Sequence, residues 1–185
     1  MKISLALISS VLPLMMGSVL NAHDNNCSQG SSETRGVVSL EQTRFYALRD
    51  SAKKSLKVEN FELAKQQSLE LLALAPKFPN DWNYGNAIHD GNMLLGLIAL
   101  HEGNVSEAKI FLTAAGKTPG SPQLNTFGPN MSLAKGLLEK GERNAILQYF
   151  ALCQGFWELH RDYLDMWSLE VKNGQIPDFK ANLLY

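Results

Sequence analysis

The stretch LHEGNVSEA at residues 100–108 decides the fold, because its pattern recurs in LKVENFELA at 56–64 and LEKGERNAI at 138–146. The three stretches start 44 and 38 residues apart, and each begins with Leu. Each has a polar turn in the middle and a small or apolar residue at its end; the turns are Glu59-Asn60, Gly103-Asn104 and Gly141-Glu142, and the end residues are Ala64, Ala108 and Ile146. Glycine reaches the positive φ angle that ends a helix, and Asn caps the start of the next one. The pattern therefore predicts three helical hairpins, each closed by a tight turn.

Helical periodicity dominates the sequence from Ser39, a good N-cap residue, to the C-terminus, and strand signals are absent. A single hairpin cannot bury its own apolar face, so successive hairpins have to stack. We therefore predict an all-α fold of stacked helical hairpins. Its small end residues should point into one shared interior.

The small and apolar residues of the hairpins match a repeat pattern of about 34 residues. The matching residues are Ala52, Ala64, Leu71 and Pro76 in the first hairpin, Gly96, Ala99, Gly103, Ala108, Leu112, Ala115 and Pro119 in the second, and Ala134, Leu137, Gly141, Ile146, Phe150 and Cys153 in the third. Over residues 43–158 the chain resembles the tetratricopeptide repeat family, with degenerate repeats. The resemblance implies a right-handed α-superhelix and a role in binding other proteins.

The predicted repeat domain spans residues 39–185, with hairpins at about 39–76, 86–116 and 130–156, a cap helix at about 157–173 and a tail at 174–185. The stretch GKTPGSPQLNTFGPN at 116–130 is interpreted as a joint, since Pro119 and Pro122 block helix continuation. After Ile146 the apolar stripe continues to Val171. It fits either one long helix or, as we prefer, a break near Gly155 and a cap over the end of the core.

The first 22 residues have a basic Lys2, an apolar run and short polar residues around Ala22, which is typical of a signal peptide. Residues 23–38 are rich in Ser, Asn and Gly and are predicted to be a flexible leader. We therefore expect an exported protein, periplasmic or secreted, with no integral membrane segment after cleavage. Without residues 1–22 the chain has 16 basic and 18 acidic residues, which gives no reason to expect nucleic acid as a partner.

The two cysteines, Cys27 and Cys153, would enter an oxidising compartment if the chain is exported. They could form a disulfide, or Cys153 could serve as a small apolar residue of the core. No catalytic motif, metal-ligand spacing or cofactor motif is found, so we expect a non-enzymatic protein without a cofactor or metal. His89, His101 and His160 are interpreted as surface or packed residues.

Asparagine and aromatic residues are dense in WNYGNAIHDGN at 82–92 and QLNTFGPN at 123–130. Asn offers donors and acceptors that suit a peptide backbone, and aromatic rings add contact area. The alternative is that these are turn residues and plugs between hairpins. Under the binding interpretation, the peptide-binding residues are Tyr84, Asn86, His89, Asp90, Met93, Asn125, Phe127 and Asn130. Both joints precede a first helix, so they should emerge on the same side of the stack.

The resemblance implies that first-helix residues line a concave groove: Tyr46, Arg49 and Lys53, then Asp90, Met93, Leu97 and Leu100 or His101, then Met131 and Lys135. Some family members hold a C-terminal carboxylate with Asn and Lys at set groove positions. In this chain the Asn positions are taken by Lys53, Leu97 and Lys135, so that clamp is not reproduced. A groove of methionine and basic residues favours apolar or mildly acidic extended segments.

The leading hypothesis is thus a protein–protein interaction module that binds a peptide of an unidentified partner. A structural alternative is a homodimer joined through the face of Trp157, Leu164 and Trp167. A third hypothesis is a small-ligand or enzymatic site formed by His89, Asp90 and Asn125 where the joints fold over the groove.

Overall fold

The computed structural model describes residues 38–160 and 162–183. The predicted signal peptide, the leader up to residue 37, Cys27 and the last two residues lie outside this part. The helices are α1 Leu40–Lys57, α2 Phe61–Leu74, α3 Tyr84–His101, α4 Val105–Gly116, α5 Pro122–Phe127, α6 Ser132–Glu139, α7 Arg143–Cys153 and α8 Tyr163–Lys172. Short 3-10 turns follow at Ala75–Lys77 and Lys180–Leu183. No strand occurs among these residues, so the all-α prediction is confirmed.

The repeated turns close helix pairs in the way their residue types require. Asn60 and Asn104 cap α2 and α4, since the Oδ1 atom of each accepts a backbone N–H at 3.2 Å. Gly103 and Gly141 have φ angles of 81° and 84°, which a residue with a side chain rarely adopts. The first turn uses Glu59 at φ 59° instead. The second and third turns therefore have the glycine conformation, and α2 and α4 the asparagine caps, that the sequence predicts.

Helix α3 lies at the centre of the domain. It packs against α1, α2, α4, α5 and α6, while α7 packs against α4, α6 and α8. The residues that end the three repeated stretches, Ala64, Ala108 and Ile146, are all fully buried. Ala64 and Ala108 are small enough to let neighbouring helices approach closely, whereas Ile146 fills the core as a larger apolar side chain.

The C-terminal aromatic face is interior. Helix α7 ends at Cys153 and α8 begins at Tyr163, so the alternative of one long helix is wrong. Trp157, Leu164 and Trp167 are almost completely buried within the chain, and Phe179 of the tail contacts Trp167 edge-on at 4.9 Å between ring centroids. These side chains pack inside the chain, as expected of a cap over the core, and the homodimer alternative stays a prediction.

The joint at 116–130 contains a helix that was not predicted. Pro122 occupies the first position of α5, where its missing N–H costs nothing, and the Ser121 hydroxyl accepts from the Leu124 N–H at 3.0 Å. Proline thus begins a helix here as well as separating it from α4. Asn130 helps to begin the next helix, since its Oδ1 accepts from the Ser132 N–H at 2.8 Å.

Cys153 is completely buried against the apolar core, and burial raises the pKa of its thiol above the ordinary value. The disulfide to Cys27 stays a prediction, since Cys27 is outside the described residues. Within the described ranges, no helix has both the length and the apolar composition needed to cross a bilayer.

Candidate functional site

A cavity of about 320 Å³ lies where α1, the first half of α3 and the 121–130 joint meet. Each element contributes a different chemistry: Arg49 and Lys53 come from α1, Asn86, His89 and Asp90 from α3, and Gln123, Leu124, Phe127, Gly128 and Asn130 from the joint. Asn86, His89 and Asp90 are three and four residues apart, which places them on one face of α3. The cavity is therefore a product of the tertiary fold, with polar groups on one helix facing cations on another.

His89 is held in place at both ring nitrogens. It is fully buried; Nδ1 lies 2.9 Å from Asp90 Oδ1, and Nε2 lies 3.2 Å from the Tyr149 hydroxyl. A carboxylate only accepts hydrogen bonds, so Nδ1 carries the donated proton. In the neutral imidazole, Nε2 then accepts from the hydroxyl of Tyr149. Both nitrogens are thus engaged inside the protein, and His89 acts as a support for Asp90.

Asp90 is a buried carboxylate with three positively charged or hydrogen-bonding neighbours. Its Oδ2 lies 3.2 Å from Arg49 Nε and 3.5 Å from Lys53 Nζ. Burial acts to raise the pKa of Asp90, but the hydrogen bond from His89 and the nearby positive charges outweigh burial, and the pKa lies below its ordinary value. Asp90 is therefore ionised at neutral pH, and both of its oxygens are occupied.

Several donors at the cavity are not matched by acceptors in the described part of the chain. The side chains of Arg49 and Lys53 are about one-third exposed, at 32% and 30%, and their contacts in the described residues are ion pairs with aspartates. No described acceptor pairs with Arg49 Nη1 or Nη2, or with the Nε2 amide of Gln123, whose Oε1 accepts from Asn86 at 3.1 Å. The cavity thus presents an excess of hydrogen-bond donors.

The two asparagine-rich joints do meet on one side of the domain. The Ser121 hydroxyl donates to Asn86 Oδ1 at 2.6 Å, and the Thr118 hydroxyl donates to the Gly85 carbonyl at 2.7 Å. Asn86 is consequently buried in a hydrogen-bond network between α3 and the joint. This network fixes the floor of the cavity.

Five of the eight residues predicted to bind a peptide line the cavity: Asn86, His89, Asp90, Phe127 and Asn130. Met93 is buried and lines a neighbouring cavity. Tyr84 and Asn125 do not line either one. Tyr84 packs on the apolar cluster around Phe45, and Asn125 bonds the Ser121 N–H and Glu158, each at 3.1 Å.

The groove residues implied by the repeat resemblance divide in the same way. Arg49, Lys53, Asp90, Met93 and Leu97 line the two cavities. Tyr46 instead donates to Asp81 and stacks on Trp82, with ring centroids 5.7 Å apart, and Met131 is fully buried. Lys135 is exposed. The groove therefore lies mainly between α1 and α3.

The contribution of Gln123 and Leu124 was missed by sequence reasoning. The signal was present, since Ser followed by Pro is a helix start and Leu124 and Phe127 are three residues apart on that helix. Reading 122–127 as a helix would have placed both side chains on one face.

Two further cavities adjoin the central one. A cavity of about 450 Å³ shares Lys53, Asp90 and Asn130 with it and adds Leu56, Met93, Leu94 and Leu97. A cavity of about 390 Å³ shares Phe127 and adds Trp157, Tyr163, Trp167, Phe179 and Asn182. The central cavity thus shares lining residues with both neighbours, and the three are treated together as a groove. Its middle has two cations, and its outer parts combine apolar residues with Lys57 and Lys180.

Among the described residues, neither His101 nor His160 lines the three cavities. His101 is exposed and stacks on Phe61 at 4.0 Å between ring centroids, and His160 is half-buried near Trp157. Within residues 38–160 and 162–183, no three His, Cys, Asp or Glu side chains are grouped so that they could hold a metal ion.

Comparison with known proteins finds no matching family model, no matching curated protein and no matching solved structure. The functional argument therefore depends on the geometry of this chain.

Proposed function

We propose that this protein is a non-enzymatic interaction module that holds an extended segment of a partner protein in the groove between α1, α3 and the 121–130 joint. The observation that carries the proposal is the row of three adjoining cavities, which share Phe127 on one side and Lys53, Asp90 and Asn130 on the other. A row of this kind suits a chain with several side chains. A compact metabolite would need only one of the cavities.

The resemblance to tetratricopeptide repeats supports the same function. We propose that the helix pairs α1–α2, α3–α4 and α6–α7 are degenerate repeats arranged as in that family, with α8 and the tail as the cap. In such repeats the first helices line the concave surface, which here corresponds to Arg49, Lys53, Asp90 and Met93. The signal-like N-terminal sequence adds the proposal that the partner is met in the periplasm or outside the cell.

The chemistry of the cavity favours binding over catalysis. His89 is the group best suited to transfer protons, but both of its nitrogens are engaged by Asp90 and Tyr149. The carboxylate of Asp90 is in turn bound by His89 and paired with two cations. These groups are arranged to hold a charge in place.

The proposal is tested with the full chain and an array of synthetic peptides of about eight residues, which extend over about 26 Å. Binding is read by fluorescence polarisation. We expect a subset of peptides to bind, and Lys53→Ala to weaken binding roughly tenfold, as expected for the loss of a charged contact. Lys54→Ala on the exposed side of α1 is the matched control and should leave binding unchanged. Absence of binding across the array, or equal losses in both variants, would contradict the proposal.

A further inference from the structure

We infer that the central cavity selects an acidic side chain, Asp or Glu, within the bound segment, and that Arg49 and Lys53 are its specificity-determining residues. The inference rests on the proposed function and adds the chemical class of the anchor residue. Four features of the cavity support the inference: its charge balance, its unmatched donors, its apolar wall and its position in the middle of the groove.

The charge balance of the cavity is positive. Two cations, Arg49 and Lys53, face one carboxylate, Asp90, and that carboxylate also holds His89. Both oxygens of Asp90 already have partners within the chain, so the carboxylate is partly neutralised by its own cations. Asp50 also lies 3.4 Å from Arg49 Nε, but it is 82% exposed and outside the cavity lining, so the ionised side chains that line the cavity in the described residues sum to one positive charge. A ligand group that enters the cavity is therefore favoured if it is negative.

The unmatched donors define the geometry that the anion would meet. Arg49 contacts Asp90 through Nε at 3.2 Å, while its two Nη groups have no acceptor in the described residues. A guanidinium in this state can offer a forked pair of donors to a carboxylate. Lys53 adds a point charge, and the Gln123 amide adds a neutral donor on the opposite wall. A carboxylate uses all three, whereas an amide uses them poorly.

Leu124 and Phe127 supply an apolar wall beside these donors. Apolar walls exclude water and so strengthen a charge-assisted hydrogen bond. They also suit the methylene groups that carry a side-chain carboxylate. An acid with a short apolar stem therefore fits better than a bare inorganic anion.

The position of the cavity favours an internal residue of the ligand over its terminus. The cavity that shares Phe127 is lined by Trp157 and Tyr163, with Lys180 as its cation. The cavity that shares Lys53 is lined by Met93 and Leu97, with Lys57 as a further cation. A segment that places its carboxylate in the middle can therefore bury apolar side chains on both sides. The expected ligand is an extended segment with an acidic residue between apolar ones.

Four probes test the inference with the full chain. The first is an octapeptide blocked at both ends that carries one Glu between Leu residues, and the second has Gln in its place. The third is the Gln peptide with a free C-terminal carboxylate, and the fourth is glutamate alone, added as a competitor. By fluorescence polarisation we expect the blocked Glu peptide to bind roughly tenfold tighter than either Gln peptide. Glutamate alone should not compete at concentrations near the dissociation constant of the peptide.

Variants assign the preference to the named residues. Lys53→Gln should reduce the ratio of Glu to Gln affinity to roughly two- or threefold, and Arg49→Gln/Lys53→Gln should abolish it. Asp90→Asn should increase the ratio, because it removes the internal competitor for the two cations. Lys54→Gln, one residue along α1 and exposed, is the matched control and should leave the ratio unchanged. If the double variant fails to fold, the opposite shifts expected for Lys53→Gln and Asp90→Asn decide the matter.

The outcomes separate this inference from the proposed function. Equal binding of the blocked Glu and Gln peptides would overturn the acidic anchor and leave peptide binding standing. Preference for the free C-terminal carboxylate would overturn it in favour of a chain terminus, and competition by glutamate alone would overturn it in favour of a small-molecule site. Failure of every peptide in the array would overturn both proposals together.

Discussion

The two halves of α3 are equally buried, but they bury opposite kinds of side chain. In the first half the buried polar residues are Asn86, His89, Asp90 and Asn92. In the second half the buried side chains are apolar, namely Met93, Leu94, Leu95, Ile98 and Ala99. One helix thus passes through a hydrogen-bonded interior and then through an ordinary hydrophobic core.

The difference shows which half contributes stability and which half positions a site. Burial of apolar area is favourable by itself, whereas a buried polar group needs a partner merely to offset its lost hydration. Asn92 donates to the Ile88 carbonyl at 2.8 Å, and Asn86 and His89 are bonded to the joint and to Tyr149. Apolar residues could fill this space at a lower cost. The polar half is explained by the cavity that it lines.

The largest expected effect is a loss of stability when a glycine in either half of α3 is replaced by alanine. A Cβ atom on Gly85 would lie 1.7 Å from the backbone carbonyl oxygen of Gly120, whereas on Gly96 it would meet the tip of the Leu133 side chain at 2.2 Å. A side-chain tip can move and a backbone carbonyl cannot. We expect Gly85→Ala to lower the free energy of unfolding by about 3 kcal/mol or more and Gly96→Ala by about 1–2 kcal/mol, measured in urea. Equal losses of unfolding free energy would show that the backbone of the 116–130 joint moves as easily as the Leu133 side chain, which would contradict this prediction.

The next effect comes from the buried carboxylate. Asp90→Asn removes the charge that Arg49 and Lys53 share. Arg49 keeps Asp50 at 3.4 Å from its Nε and both cations reach solvent, so the loss is expected at about 1–2 kcal/mol at neutral pH. Leu94→Ala, a matched change in the apolar half, should cost about 3 kcal/mol through its cavity. A larger loss for Asp90→Asn than for Leu94→Ala would reverse the comparison.

The same carboxylate gives a pH signature. The pKa of Asp90 in the folded chain lies below its ordinary value of 3.8, so its stabilising contribution is present above that value and is lost as pH falls through the folded pKa. The stability difference between the unchanged chain and Asp90→Asn should therefore shrink below about pH 4 in urea titrations. Glu70 and Asp81 also have lowered pKa values, but they are common to both proteins and cancel. A difference that stays constant down to about pH 2 would contradict the assignment.

The smallest expected effect concerns the tail, which braces the joint. Asn182 donates to the carbonyls of Phe127 and Pro129, at 3.1 and 2.9 Å, and its own carbonyl accepts from the Met131 N–H. Asn182→Ala should cost about 1 kcal/mol and weaken peptide binding, because Phe127 and Asn130 lose their support. Asn173→Ala, at the exposed end of α8, is the control and should alter neither quantity. An unchanged affinity for Asn182→Ala would separate the tail from the groove.

The sequence predicted the parts of this molecule that depend on local chemistry. Asn104 and Gly103 form a turn because of their own backbone and side-chain preferences, and Ala108 is buried because of its place on a helix. The helix in the 116–130 joint could not be predicted in the same way, because α5 depends on packing against α3 as well as on its Ser121 cap. Spacing also could not say whether Trp157 and Trp167 face a second copy or the core, because both arrangements require the same stripe.

The candidate site was partly predictable for a similar reason. Asn86, His89 and Asp90 attracted attention because they lie in a stretch dense in asparagine and aromatic residues. Asn125 and Tyr84 lie in the same two stretches, but each packs away from the cavity. Asn125 bonds Glu158, and Tyr84 packs on the cluster around Phe45; both partners are distant in sequence. Only the tertiary structure separates residues that line the groove from residues that hold it together.

The central claim is that Arg49, Lys53 and Asp90 serve ligand binding and contribute little to the stability of the fold. One triple variant tests this claim most directly. Arg49→Met/Lys53→Met/Asp90→Asn removes all three charges and keeps an acceptor for His89. Uncharged replacements of buried ionic groups are often neutral or stabilising, so we predict a free energy of unfolding in urea within about 1 kcal/mol of the unchanged chain. A loss of about 3 kcal/mol or more would show that these charges hold the fold together, and would contradict the account.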